Sequence, residues 1–292
     1  MWRALATAAM CAACASVPRL PHERAGVDLA NPYPPPARAR GRLRVVTFNV
    51  ERGGDVPRLA REIYDDPRLR NADVLLVQEI ESHPDEGESR TARLGRALRM
   101  NYAYVPARAE GDAGGSHGLA ILSRYPLSGV RSIELPRYDM RFNTRRRIAI
   151  TARIDAGGAA VQLYDVHLDT RISARERIDQ LQPVLADAAA QSGAAIVIGG
   201  DFNTNAFRWA GRVLPVGRAD QAAALDAAMR DAGYGTPTAA TGSTQRTPVL
   251  GTRVDSIYTR GAATGSAGVA RTVTASDHWP VWLDLSLAHA GD

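Results

Sequence analysis

The chain has 292 residues, 45% hydrophobic and 23% charged, which suits a soluble globular protein of one large domain or two small ones. All its basic residues are arginine and the formal net charge is +5, a positive field that suits an anionic substrate. The only cysteines, Cys11 and Cys14, lie near the N-terminus, which excludes cysteine zinc sites, a catalytic thiol and a disulfide framework from the body of the chain.

The opening "MWRALATAAMCAACAS" carries one arginine and then a short alanine-rich apolar run. It reads as an export signal over residues 1–15, shorter than the roughly 20 apolar residues that span a bilayer. Two processing routes stay open: Ala13-Cys14-Ala15 is an A-x-A cleavage site, and "CAAC" resembles a lipoprotein box with Cys14 lipidated as a membrane anchor. The protein is accordingly expected in the periplasm, at the outer membrane or secreted. Residues 16–42, rich in proline and arginine, read as a linker. A single domain is expected over 43–288, as a monomer.

Apolar runs predict strands at 43–50, 73–79, 118–123, 146–154, 161–168, 195–203, 253–259 and 279–287. Helical spacing appears at 56–64, 91–99, 173–191 and 220–233. Pro183 is expected to kink or restart the third helix, and Gly233 to cap the fourth. The order mixes hairpin-like strand pairs with helices. Two packed sheets with helices on their outer faces satisfy it.

Polar residues gather where these strands end: Asn49, Glu79, His167, Asp201 and Asn203 in "GGDFNT", Asp255, and Asp277-His278. Singly, each has an ordinary reading as a cap, a surface ion pair, a core histidine or a turn. Together they supply the carboxylates, amides and imidazoles of metal-assisted phosphoester hydrolysis. A hard cation such as Mg²⁺ or Mn²⁺ takes oxygen ligands of this kind. An extended chain points Asp201 and Asn203 to one side and Phe202 to the other. Gly199 and Gly200 leave room for a neighbouring backbone or a phosphate.

"MRFNTRRR" at 140–147 includes Arg141 and Arg145. It reads equally as phosphate-binding forks and as an exposed basic edge. Trp209 and Trp279 are candidates for stacking on a base or meeting a lipid. His117 reads as part of a solvated turn, and no hydrophobic hairpin is legible.

The segments "TFNV", "VLLVQE", "GLAILSRYPL", "YDVHLDT", "IGGDFNT", "RVDSIYTR" and "SDHWPV", in order from residue 44 to 285, resemble the endonuclease/exonuclease/phosphatase superfamily, the DNase I-like metal-dependent phosphohydrolases. The resemblance implies a four-layer α-β-β-α sandwich with two packed mixed sheets. It implies Mg²⁺ or Mn²⁺ held by Asn49 and Glu79, with Asp277 assisting the metal or the water. Asp201 would orient or deprotonate the attacking water. Asn203 would donate to a phosphate oxygen. His278, oriented by Asp255, would contact the scissile phosphate, and His167 would contact the phosphate and protonate the leaving oxygen. Arg141, Arg145 and Trp209 are the candidates for substrate binding. The implied partner is a phosphoester, with nucleic acid and phospholipid both open. A catalytically inactive anion-binding envelope lipoprotein is the reading from another class.

Overall fold

A computed structural model describes residues 26–37, 41–141, 144–246 and 252–287. The expected export signal, Cys14 included, lies outside them. The chain begins with β1 (Asp28–Ala30), β2 (Arg42–Arg52), α1 (Val56–Asp65), β3 (Val74–Ser82), α2 (Arg90–Leu98), β4 (Asn101–Glu110) and β5 (Gly115–Ser123). There follow β6 (Ser128–Glu134), β7 (Ile148–Asp155), β8 (Ala160–His167), α3 (Ala174–Ala189) and β9 (Ala195–Asp201). The last elements are β10 (Phe207–Ala210), β11 (Leu214–Arg218), α4 (Gln221–Asp231), β12 (Asp255–Arg260), β13 (Ala263–Val269) and β14 (Val281–Ser286).

Alternation along the strands sets the layers. In β2, Leu43 and Val45 face one way and Val46 and Phe48 the other. The first pair joins Leu76, Ile121, Ile150, Leu163 and Val197 in a core between two sheets. The second pair joins Val56, Leu59 and Ile63 of α1 and Leu94 of α2. On the far side, Tyr164, Val166, Ile196 and Ile198 pack against Leu181 and Val184 of α3 and Leu225 and Met229 of α4. The result is α-β-β-α. One sheet runs β1-β4-β5-β3-β2-β14-β13 and the other β12-β9-β8-β7-β6. Strands β2 and β3 are parallel, as are β8 and β9. Toward their C-terminal ends they carry Asn49, Glu79, His167 and Asp201.

Phe202 takes the expected inward position and packs edge-on to Tyr258 at 5.1 Å. Gly200 has φ +147°, and a Cβ there would lie 2.0 Å from the Val166 carbonyl oxygen. The glycine therefore serves close approach of the neighbouring backbone. Gly200→Ala is expected to cost about 2–4 kcal/mol, because strand β8 must shift to admit the methyl group. Urea unfolding measures it.

The structure departs from the sequence reading in three places. The stretch expected as linker contributes the edge strand β1, and Asn31 clasps Leu127 through both backbone groups at 2.9 and 2.8 Å. Helix α3 does not restart at Pro183 but runs on as one element; the ladder bond that the proline removes falls at exposed Asp179. Strands β4, β6, β10, β11 and β13 were not legible. Several hold glycine, proline or serine at an edge, where packing and not propensity defines a strand. The pair β10–β11 forms a separate two-stranded sheet, with Val213, Leu214 and Val216 exposed. This hairpin carries an exposed aliphatic edge.

Candidate active site

Strand register brings the second sheet's candidates into one row. Asp201 at the end of β9 pairs with His167 of β8 on one side and with Asp255 of β12 on the other. The loop before β14 adds His278, whose Nδ1 donates to Asp255 Oδ2 at 2.9 Å. His278 Nε2 lies 4.0 Å from Asp201 Oδ2. Three ligand-type atoms of Asp201, Asp255 and His278 lie within 4.8 Å of one another.

Glu79 comes from the first sheet by a register slip. Val77 and Ile80 both face the helical side, so strand parity changes between them. Glu79 is the extra residue of this bulge, in left-handed backbone at φ +62°. Such a conformation costs a non-glycine residue about 1 kcal/mol or more and commonly marks a functional position. The bulge turns the carboxylate toward the second sheet. His117 Nε2 stands 3.7 Å from Glu79 Oε2, and His167 Nε2 stands 3.6 Å from both Glu79 Oε1 and Asp201 Oδ2.

Burial and charge separate the groups. Burial alone would raise the Glu79 carboxyl, but the adjacent His117 imidazole and Asn49 hold it well below the usual range. Burial pushes Asp201 up, against the pull of His278. Burial would lower His278, yet Asp255, Asp201 and Asp277 push it up to about 10. It is an imidazolium at neutral pH, with no lone pair free for a cation. The Asp201–Asp255–His278 group is thus an ion-paired cluster. Burial and Arg147 hold His167 well below its ordinary value, so it is neutral and poorly placed to be the proton donor expected of it.

Some expected roles do not match the geometry. Asn49 is buried at the end of β2, but its Nδ2 donates to Asp201 Oδ2 at 3.1 Å while its Oδ1 accepts from Glu51 N. A ligand role requires the amide to turn over. Asn203 has φ +51°, which breaks the expected alternation, and its Nδ2 donates to the Leu168 carbonyl at 2.9 Å, not into the cleft. Its backbone N–H holds Asp201 Oδ1 at 2.8 Å. Asp277 is on the exposed rim, its N–H donating to Glu51 Oε2 at 3.1 Å. Arg141 is exposed and donates to the Gly211 carbonyl. Half-buried Arg145 does lie in the field of Glu79, beside Arg108 and Arg147, and burial and those two arginines lower its pKa. Trp209 is half-buried, its indole N–H bonded to Asn205 Oδ1 at 3.0 Å.

His117 is the site residue the sequence reading missed. It is buried on β5 beside Glu79, not in a turn. Period two along β5 puts it on the face of Leu119 and Ile121, both in the inter-sheet core, and that signal was available.

Beneath Glu79, Gln78 Nε2 donates across the sheets to Asp165 Oδ1 at 2.6 Å. Asp165 is fully buried, and burial raises its carboxyl well above the usual range. Gln78 Oε1 and Asp165 Oδ2 have no partner among the described residues. One proton on Asp165 satisfies both, as an acid–amide pair. Asp165→Asn should therefore stay within about 1 kcal/mol of the parent, whereas Asp165→Val should lose about 2–3 kcal/mol by stranding Gln78. Thermal unfolding distinguishes the two.

Residues 46–278 match the endonuclease/exonuclease/phosphatase family. The chain belongs to this family. Among solved structures it is similar to an endonuclease/exonuclease/phosphatase from Beutenbergia cavernae, at 21% identity over 85% of this chain and 72% of that one, with a TM-score of 0.65. It is also similar to a Bacteroides thetaiotaomicron mannosyl-6-phosphatase, at 16% identity over 83% and 99% of the two chains, TM-score 0.59. A third is a humanized D. rerio TDP2, at 19% identity over 84% and 99%, TM-score 0.56. These likenesses establish the shared DNase I-like fold. No curated protein matches the chain. Family membership makes the chain a phosphoesterase- or nuclease-type hydrolase, and this family generally depends on a divalent metal.

Proposed function

We propose that this family member is an exported, Mg²⁺- or Mn²⁺-dependent phosphodiesterase whose active site is the cleft between Glu79 and the His167–Asp201–Asp255 row. The observation that carries the reading is the facing of two unlike carboxylates. Glu79 is held ionised, while Asp201 is raised toward neutrality opposite a buried imidazolium. The donor set suits a hard cation. Glu79 is ionised and partly exposed, and the imidazoles at 3.6 and 3.7 Å are too far to occupy its oxygens as hydrogen bonds by geometry. Glu79 would hold the cation with Asn49, its amide turned over, and Asp277 at the rim. Bound there, it would supply positive charge to a phosphoryl oxygen.

The chain's own residues do the rest. Asp201, raised in pKa, is matched to accept a proton from the attacking water near neutral pH. The Asn203 N–H holds its Oδ1 at 2.8 Å. The His278 imidazolium, steered by Asp255, neutralises charge spread over the phosphoryl oxygens. Neutral His167 donates a hydrogen bond. Arg145, Arg108 and Arg147 draw the anion toward the cleft. The apolar run at 4–16 supports export.

Hydrolysis of bis-p-nitrophenyl phosphate, plasmid DNA, RNA and phospholipid is compared side by side with each metal and with chelator. Metal-dependent cleavage of at least one, abolished by chelator, is expected. No cleavage of any substrate with either metal would overturn the reading.

A further inference from the structure

Three of the large apolar side chains that reach the surface lie within four residues of one another: Val213 at 38%, Leu214 at 63% and Val216 at 62% exposure. They occupy the β10–β11 hairpin, which belongs to neither large sheet, and every residue of β11 is exposed. Leu214 pairs with Ala210, and Val216 is the extra residue where the register shifts, so both project from the strand's exposed edge.

The hairpin is held firmly. Arg141 Nε donates to the Gly211 carbonyl at 3.1 Å. Arg212 bonds the Asp139 carbonyl at 2.8 Å and Glu176 Oε1 at 2.6 Å, and its guanidinium lies over the Tyr138 ring. The apolar edge is thus presented to solvent by a braced element. Beside it opens a cavity of about 720 Å³ lined by Arg171, Arg175, Arg208 and Arg212 with Phe207 and Trp209. Its four arginines outnumber its two acids, Glu176, which pairs with Arg212, and Asp220, which caps α4. The surroundings of the apolar edge are therefore basic.

We propose that the β10–β11 hairpin docks the protein on an anionic phospholipid surface. Val213, Leu214 and Val216 enter the interfacial layer, and the flanking arginines meet lipid phosphates while their stems lie along the apolar boundary. A nucleic-acid strand fits less well. It stacks on aromatic faces, but the exposed side chains here are aliphatic, and Phe207 and Trp209 pack edge-on against each other at 5.9 Å. A second copy meeting this patch about a two-fold axis sets the arginines against themselves. Asn205, which holds Trp209 and also bonds the Thr170 carbonyl, lies two residues after Asn203, whose N–H holds Asp201, so the hairpin is tied to the segment that leaves the cleft. The inference does not depend on which phosphoester is hydrolysed.

The test is vesicle flotation of the full chain against the double variant Leu214→Glu/Val216→Glu. Vesicles contain phosphatidylglycerol with phosphatidylcholine, or phosphatidylcholine alone. The parent is expected to float with the anionic vesicles, less so in high salt. The double variant should bind at least about tenfold more weakly, with unchanged circular dichroism and unchanged hydrolysis of a soluble phosphodiester. Arg208→Glu should reduce the preference for phosphatidylglycerol. Equal binding by parent and double variant overturns the proposal, since the shared N-terminal segment or another face then carries it. So does a parent that does not bind, or a double variant that loses only DNA retention or only self-association. Vesicle binding is read whether or not the chain is active, so failure of the hydrolytic reading stays separate.

Discussion

Glu79→Gln is expected to abolish metal-supported turnover, by about 10³-fold or more, and to weaken Mg²⁺ or Mn²⁺ binding in calorimetry. The glutamine keeps the shape and removes the charge. Glu79 is the carboxylate that the first sheet's bulge turns toward the row on the second sheet, and its charge is held by the adjacent His117 imidazole and Asn49. Glu79→Gly separates function from stability. Glycine adopts φ +62° freely, so this variant should gain up to about 1 kcal/mol from relieved strain while losing turnover as completely. His117→Ala should give a smaller loss, about tenfold, because it removes one of several groups that place the carboxylate. Because Glu79 is already ionised at low pH, protonation of Asp201 should set the acid limb of activity, above the range of an ordinary aspartate. A Glu79→Gln protein with metal affinity and turnover within about threefold of the parent would remove Glu79 from the site, since a principal ligand carries far more.

What the sequence made legible follows from where the information is local. The α-β-β-α layering could be read because β2, β3, β8 and β9 are apolar runs buried along nearly their whole length, which need packing on both faces. The convergence of Asp201, Asp255, His167 and His278 could be expected because polar residues stood at apolar strand ends, and register then placed three of them in a row. Glu79 was named from its motif, but its orientation was not legible. A one-residue bulge changes parity without changing composition, and only the pairing of β3 with β5 reveals it. Asn203 departs from expectation for a related reason: asparagine tolerates left-handed backbone, and at φ +51° it leaves the extended chain that alternation requires. The hairpin was invisible because "RWAGRVLPVGR" holds glycines and a proline and looks like a loop. Its exposure depends on what does not pack against it.

Asp255→Asn is the sharper test of the chemistry, because it alters one interaction in a buried pair without touching the Glu79 side of the cleft. His278 Nδ1 and Asp255 Oδ2 are 2.9 Å apart and both side chains are buried. Burial would lower the imidazole, and Asp255 with the other carboxylates overrides it to reach about 10. A histidine whose pKa is higher folded than its unfolded value of roughly 6.5 contributes its full stabilisation below that value and loses it as pH rises through about 10. With asparagine in place, burial has the larger voice and the imidazole should titrate much lower. Nuclear magnetic resonance should show the His278 midpoint fall by more than one unit on Asp255→Asn, roughly the shift expected when one close charge is removed. The alkaline limb of turnover should move down with it, and turnover at neutral pH should drop about 10²–10⁴-fold as the positive charge facing the phosphoryl oxygens is lost. Asp255→Ala should cost more stability, about 3–5 kcal/mol, because it strands a buried imidazolium that asparagine can still accept from. Asp255→Ala/His278→Ala should be less unstable than the sum of its single variants, since it removes both halves of the pair. An unchanged His278 midpoint in Asp255→Asn would show that Asp201 and Asp277 hold the charge instead, and the orienting role would pass to them.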